Sequence, residues 1–81
     1  MSKYIKTDTI QYKLGQNIAR LRKESGLTHA DMDMYNISRA YYGKIELGSY
    51  SISIEKLHMI AKAFGVPLYQ LFIDKDGKPI E

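Results

Sequence analysis

Ile10, Leu14, Ile18 and Leu21 recur at intervals of four, four and three, the spacing that lines one face of an α-helix. Gly26 closes this run, so a first helix is predicted over about residues 9–25. Thr28 suits the N-cap of a second, with Asp31 favoured in its first turn by the helix dipole and Leu27 placed to staple onto Met32. That helix ends near Tyr35, and Asn36, which tolerates a left-handed backbone, turns the chain. Ser38 then caps a third helix whose Tyr42 and Ile45 share one face and which Gly48 stops. Arg39, Ala40, Tyr41 and Lys44 are left on the opposite face. Ile54, Leu57, Ile60, Ala61 and Phe64 make a fourth stripe ended by Gly65, and Pro67 suits the first position of a fifth helix that buries Leu68, Leu71 and Phe72. The pattern is all-α, a compact bundle of five short helices.

A third helix of about ten residues is unstable alone in water, so its outward face must be displayed by the scaffold behind it. The 81 residues are enough for one domain with one modest core, and with no cysteine neither a disulfide nor a thiolate zinc site supplements it. No apolar run reaches the length of a signal peptide or a membrane span, which points to a cytoplasmic protein. The net charge of +3 is a mild bias towards a polyanionic partner. Its distribution is uneven: Lys3, Lys6, Lys13, Arg20, Arg22 and Lys23 face only Asp8 and Glu24 in the first 26 residues. A solvated basic face explains that bias as well as a nucleic-acid partner does. The expected organisation is an arm over 1–8, a domain over 9–73 and a tail over 74–81, the last with turn chemistry at Asp76-Gly77 and expected as a disordered end rather than a small strand offered to a partner.

Three motifs stand at matching spacing: LxxxIxxLRxxxGLT at 14–28, SRxxYxKIExG at 38–48 and LxxIAKAFGVPLxxLF at 57–72. Together they resemble the Cro and phage-repressor (XRE-like) helix-turn-helix family, and the run RAYYGKIELGSYSISIEKL is similar to the controller proteins of restriction-modification systems. The resemblance implies a lambda-repressor-like fold and a transcriptional regulator that binds double-stranded DNA with its third helix in the major groove, as a dimer on a palindromic operator. One departure alters the second helix or its turn. Between Gly26 and Glu46 this chain is one residue shorter than the family pattern, the loss falls in residues 32–36, and Asp33 or Met34 replaces the family's small Ala.

Carried onto this sequence, the resemblance places Arg39, Ala40 and Lys44 at base edges, where Arg paired with guanine is the commonest specific contact. Tyr41 and Tyr50 would reach phosphates through their hydroxyls, beside Ser38. Thr28 and His29 would clamp the backbone at the start of the second helix, although Thr28 is an N-cap whatever the function. Tyr42 and Tyr35 read as core. Gly43 inside the third helix implies either close packing or room for a backbone. Arg22 and Glu46 match a family pair that forms a partly buried salt bridge, a structural role. His29 and His58 lack the companions of a metal site, and neither a cofactor motif nor a catalytic constellation is present. Homodimer contacts are expected around Tyr69, Phe72 and Ile73. Two alternatives stay open: an antitoxin or immunity repressor whose tail orders on a protein partner, and a protein-interaction module that has lost DNA reading.

Overall fold

The side-chain oxygen of Thr9 accepts the N–H of Tyr12 at 3.1 Å and starts α1 (Ile10–Glu24), whose carbonyls are closed off at Ser25. The computed structural model describes residues 9–49 and 51–81, so the expected arm over 1–8 and Tyr50 lie outside the described residues. A 3₁₀ segment, Ala30–Tyr35, follows, then α2 (Arg39–Leu47), α3 (Ile54–Phe64) and a second 3₁₀ segment, Leu68–Phe72. Three of the five expected elements are thus α-helical and two are not. Among the described residues the only β-type pairing is a single bridge between Ile73 and Pro79.

The first 3₁₀ segment contains most of residues 32–36, where the resemblance implies an altered second helix or turn. A 3₁₀ helix rises about 2.0 Å per residue against about 1.5 Å in an α-helix. Six residues wound this way therefore cover about the length of eight α-helical ones. Thr28 and Asp31 bracket its start reciprocally, with the Thr28 N–H donating to Asp31 Oδ2 at 2.8 Å and the Asp31 N–H to Thr28 Oγ1 at 3.2 Å. Asn36 takes the left-handed conformation, φ 63°, that ends it. Ile37 is then driven inward and is almost fully buried, a core position absent from the helical stripes.

The core is formed between α1 and α2 on one side and α3 on the other, joined by the two 3₁₀ segments, around Ile18, Met32, Tyr42, Ile60 and Leu71. Leu27 packs on its margin, and Tyr35 is half-buried. Ser38 and Ser53 cap α2 and α3, while Gly48 and Gly65 end them with φ of 77° and 72°. Two expected core positions lie at its edge instead: Ile10 and Ile54, each the first residue of its helix, are 47% and 64% exposed. Pro67 precedes the second 3₁₀ segment as its N-cap rather than opening it.

Asn17, buried on α1, donates to the Leu71 carbonyl at 3.1 Å and ties that segment down. Residues 74–81 are not a disordered end. The Asp74 carboxylate accepts the N–H groups of Asp76 and Lys78, the backbone closes through Asp74 N–H to Lys78 O at 2.7 Å, and Ile80 N–H bonds Phe72 O at 2.8 Å. Ile80 packs against the core, and Lys13 bonds the backbone oxygen of Glu81.

Candidate nucleic-acid interface

The first turn of α2 is held by two side chains. Ser38 Oγ accepts the Tyr41 N–H, and Asp33 Oδ1 accepts the Arg39 N–H, each at 3.2 Å. Asp33 belongs to the first 3₁₀ segment. Its carboxylate complements the positive end of the helix dipole, and it sets a negative charge beside the exposed backbone of Arg39. The sequence signal for it was an Asx residue shortly before a Ser cap.

Ser38, Arg39, Ala40 and Lys44 are exposed, so the predicted outward face is outward. Tyr41 is half-buried against the core. Gly43, in the middle of this face, is not forced by packing, because a β-carbon there would lie 3.6 Å from His29 Nδ1, an ordinary contact.

Behind that face α2 is bound to α1. Arg22 Nε meets Glu46 Oε2 at 2.6 Å and a second guanidinium nitrogen meets Oε1 at 3.2 Å, a two-pronged pair with side chains only 11% and 9% exposed. The remaining guanidinium nitrogen donates to the Leu27 carbonyl at 2.9 Å. Burial alone would push the Glu46 carboxyl up, yet the hydrogen bonds from Arg22 and His29 outweigh it and hold the group below its ordinary value. The same contact raises Arg22 above its own, against desolvation. Tyr42 lies fully buried close to both, and burial followed by the Glu46 charge pushes its hydroxyl far above the phenol range. Among the described residues that hydroxyl has no hydrogen bond of good geometry.

His29, expected to clamp a phosphate and 39% exposed at its side chain, also has partners inside the fold. Its Nε2 lies 2.9 Å from Glu46 Oε1 and its ring meets Tyr42 edge-on at 5.3 Å, which makes it the third member of the Arg22–Glu46 cluster. Thr28 is exposed. Sequence spacing could not have shown the His29 contact, since residues 29 and 46 belong to different elements.

The basic bias of the first 26 residues is partly an internal matter. Arg20 pairs with Glu24 at 3.3 Å and bonds the Ile73 carbonyl at 3.0 Å, Arg22 holds Glu46, and Lys13 holds the backbone at Glu81. Of the three expected dimer residues, Tyr69 stands 65% exposed, Phe72 packs on the core, and Ile73 is half-buried with its carbonyl on Arg20. Among the described residues no group of three or more His, Asp or Glu could hold a metal ion, and no helix is long and apolar enough to cross a membrane.

The family profile described as Helix-turn-helix matches residues 18–71. An uncharacterised HTH-type transcriptional regulator of Sinorhizobium fredii, y4dJ, is 33% identical over 67 residues, covering 82% of this chain and 87% of that protein. The fold is shared with the crystal structure of NHTF, a hypothetical transcription factor from Neisseria, at a TM-score of 0.77 and 19% identity, over 94% of this chain and 88% of that one.

Proposed function

The chain belongs to the helix-turn-helix family, and from that premise we propose that it is a transcriptional regulator that reads double-stranded DNA by sequence, with α2 in the major groove. One observation carries the reading: α2 turns Arg39, Ala40 and Lys44 to solvent while its rear is fixed to α1 by the Arg22–Glu46 pair. A helix that is to discriminate base edges needs such a brace, because a loose one spreads its side chains over several registers. Arg39 is the residue assigned to guanine, Ala40 to a thymine methyl and Lys44 to a base or phosphate; Ser38, Thr28, Tyr41 and Tyr50 are assigned to the backbone.

The proposed assembly is a homodimer through the end of the fold around Tyr69, since two half-sites a helical turn apart multiply the specificity of one module. The tail is bonded to its own core, which favours this reading over one in which that segment orders only on a protein partner.

Selection of bound duplexes from a random pool, with the mass of the protein in solution measured alongside, tests the proposal. The expected result is an enriched two-fold-symmetric site whose affinity falls by orders of magnitude between about 50 and 200 mM salt. An unenriched pool, or binding indifferent to salt, would refute it and favour a protein-interaction module.

A further inference from the structure

α2 is anchored differently at its two ends. The far end is fixed to α1 by the Arg22–Glu46 pair and by the close approach of Gly48 to the Tyr12 backbone. The near end, which begins with Arg39, depends on side-chain caps, because the first N–H groups of a helix lack partners within it. Ser38 is the helix's own cap, bonding the Tyr41 N–H, and moves with α2. Asp33 comes from another element, the first 3₁₀ segment, and its Oδ1 accepts the N–H of Arg39 itself at 3.2 Å. Asp33 is in turn held where it stands. Its carbonyl accepts the Asn36 N–H at 3.2 Å, the left-handed Asn36 closes the turn, and Met32 before it and Ile37 after the turn are buried.

We propose that Asp33 is a positioning residue for base reading: by holding the Arg39 N–H it sets the direction in which the Arg39 side chain leaves α2. The inference rests on the DNA-reading function above and deepens it. A guanidinium discriminates guanine when both of its prongs meet O6 and N7 in one plane, a geometry that must be held within about 0.5 Å and about 10–20°. Arg39 is the first residue of α2, at the end from which a helix frays. Without the Asp33 bond its backbone can leave the helical conformation, and the long side chain turns a small change at the Cα into a large one at its tip. Lys44 lies inside α2 and does not share this dependence. The Asp33 charge acts on every duplex alike, whereas its hold on the N–H bears on the base pair that Arg39 reads.

The test is a discrimination ratio: the dissociation constant on a duplex changed at the base pair that Arg39 reads, divided by that on the selected duplex. It is measured for the wild type, Asp33→Ala, Asp33→Asn, Arg39→Ala and the double variant of Asp33→Ala with Arg39→Ala. Losses common to both duplexes, from charge or from the fraction folded, cancel in that ratio. Asp33→Ala should lower it by about fivefold, the usual effect of removing a helix cap, and leave the ratios at other base pairs unchanged. Asp33→Asn, whose amide oxygen still accepts the N–H, should keep most of the wild-type ratio. In the Arg39→Ala background, Asp33→Ala should lower the ratio no further. A ratio unmoved in Asp33→Ala overturns the proposal, as does an equal loss in both Asp33 variants or an additive loss in the double variant. A wild type that discriminates no duplex would instead sink the DNA-reading function, and this inference with it. A second measurement needs no DNA. The temperature coefficient of the Arg39 amide proton shift should report a hydrogen bond in the wild type and Asp33→Asn and none in Asp33→Ala, and one value for all three would overturn the hold.

Discussion

Gly15 of α1 lies against the Glu46 carbonyl of α2 so closely that a β-carbon at position 15 would sit 2.6 Å from that oxygen, and as near to the carbonyl of Ile45. A second glycine repeats the contact in reverse: at Gly48 a β-carbon would fall 2.7 Å from the Tyr12 Cα. The two helices therefore touch backbone to backbone at the end of α2, beside the Arg22–Glu46 pair. Neither obstacle is the tip of a side chain that could swing away. Gly15→Ala should gain about 1 kcal/mol of helix propensity and lose more than that to the forced separation, since overpacking typically costs about 1–3 kcal/mol. Urea unfolding should show net destabilisation with an unchanged m-value, and a variant as stable as the wild type would mean that the helices do not approach this closely.

Gly43→Ala should do the opposite. The position is inside α2, its added methyl would meet His29 only at van der Waals distance, and its φ is ordinary for a helix. Relief of the glycine penalty should then raise stability by about 0.5–1 kcal/mol. A drop in the urea midpoint would contradict the clearance beside His29.

These two glycines show what was legible in the sequence. The boundaries of α1, α2 and α3 follow from neighbours in the chain: a hydroxyl that caps, a left-handed Gly or Asn that stops, an apolar residue every third or fourth place. All of these are local, and Ser38, Asn36 and Gly48 stand as expected. The sequence singled out Gly43 and passed over Gly15, because composition cannot say which glycine another helix presses against. The outward face of α2 was legible for the same local reason. His29 turning to Glu46, Asp33 reaching the Arg39 N–H and the tail closing on α1 each need a partner 6 to 68 residues away, and no periodicity encodes them. Winding of the second element as 3₁₀ was hidden too, since the 3₁₀ and α periods are hard to tell apart over six residues.

The ion pair makes stability depend on acid in a defined direction. The Glu46 carboxyl is held below its ordinary value of about 4.5, so its contribution is fully present above that pH and is lost as the pH falls through the lower, folded value. Glu46→Gln leaves Arg22 with a buried and unpaired charge and should cost about 3–5 kcal/mol near neutrality. Below about pH 4.5 the stability gap between wild type and variant should close, as chemical denaturation across that range would reveal. A gap independent of pH would mean that the carboxylate charge is not what binds α2 to α1.

Arg39 and Lys44 share the exposed face of α2 but differ in what their chemistry can read. A guanidinium matches the two acceptors of guanine in one plane, whereas an ammonium is a point charge that serves base and phosphate alike. Arg39→Ala should cost about 1–3 kcal/mol on the selected site and relax preference at one base pair per half-site, with little change on duplexes already altered there. Lys44→Ala should weaken all duplexes more evenly and lower the salt slope by about one. Titration of both variants against the selected site and its single-base variants separates the two patterns. Uniform loss for Arg39→Ala would remove it from base reading, and the Asp33 carboxylate that holds its backbone would then serve helix stability alone.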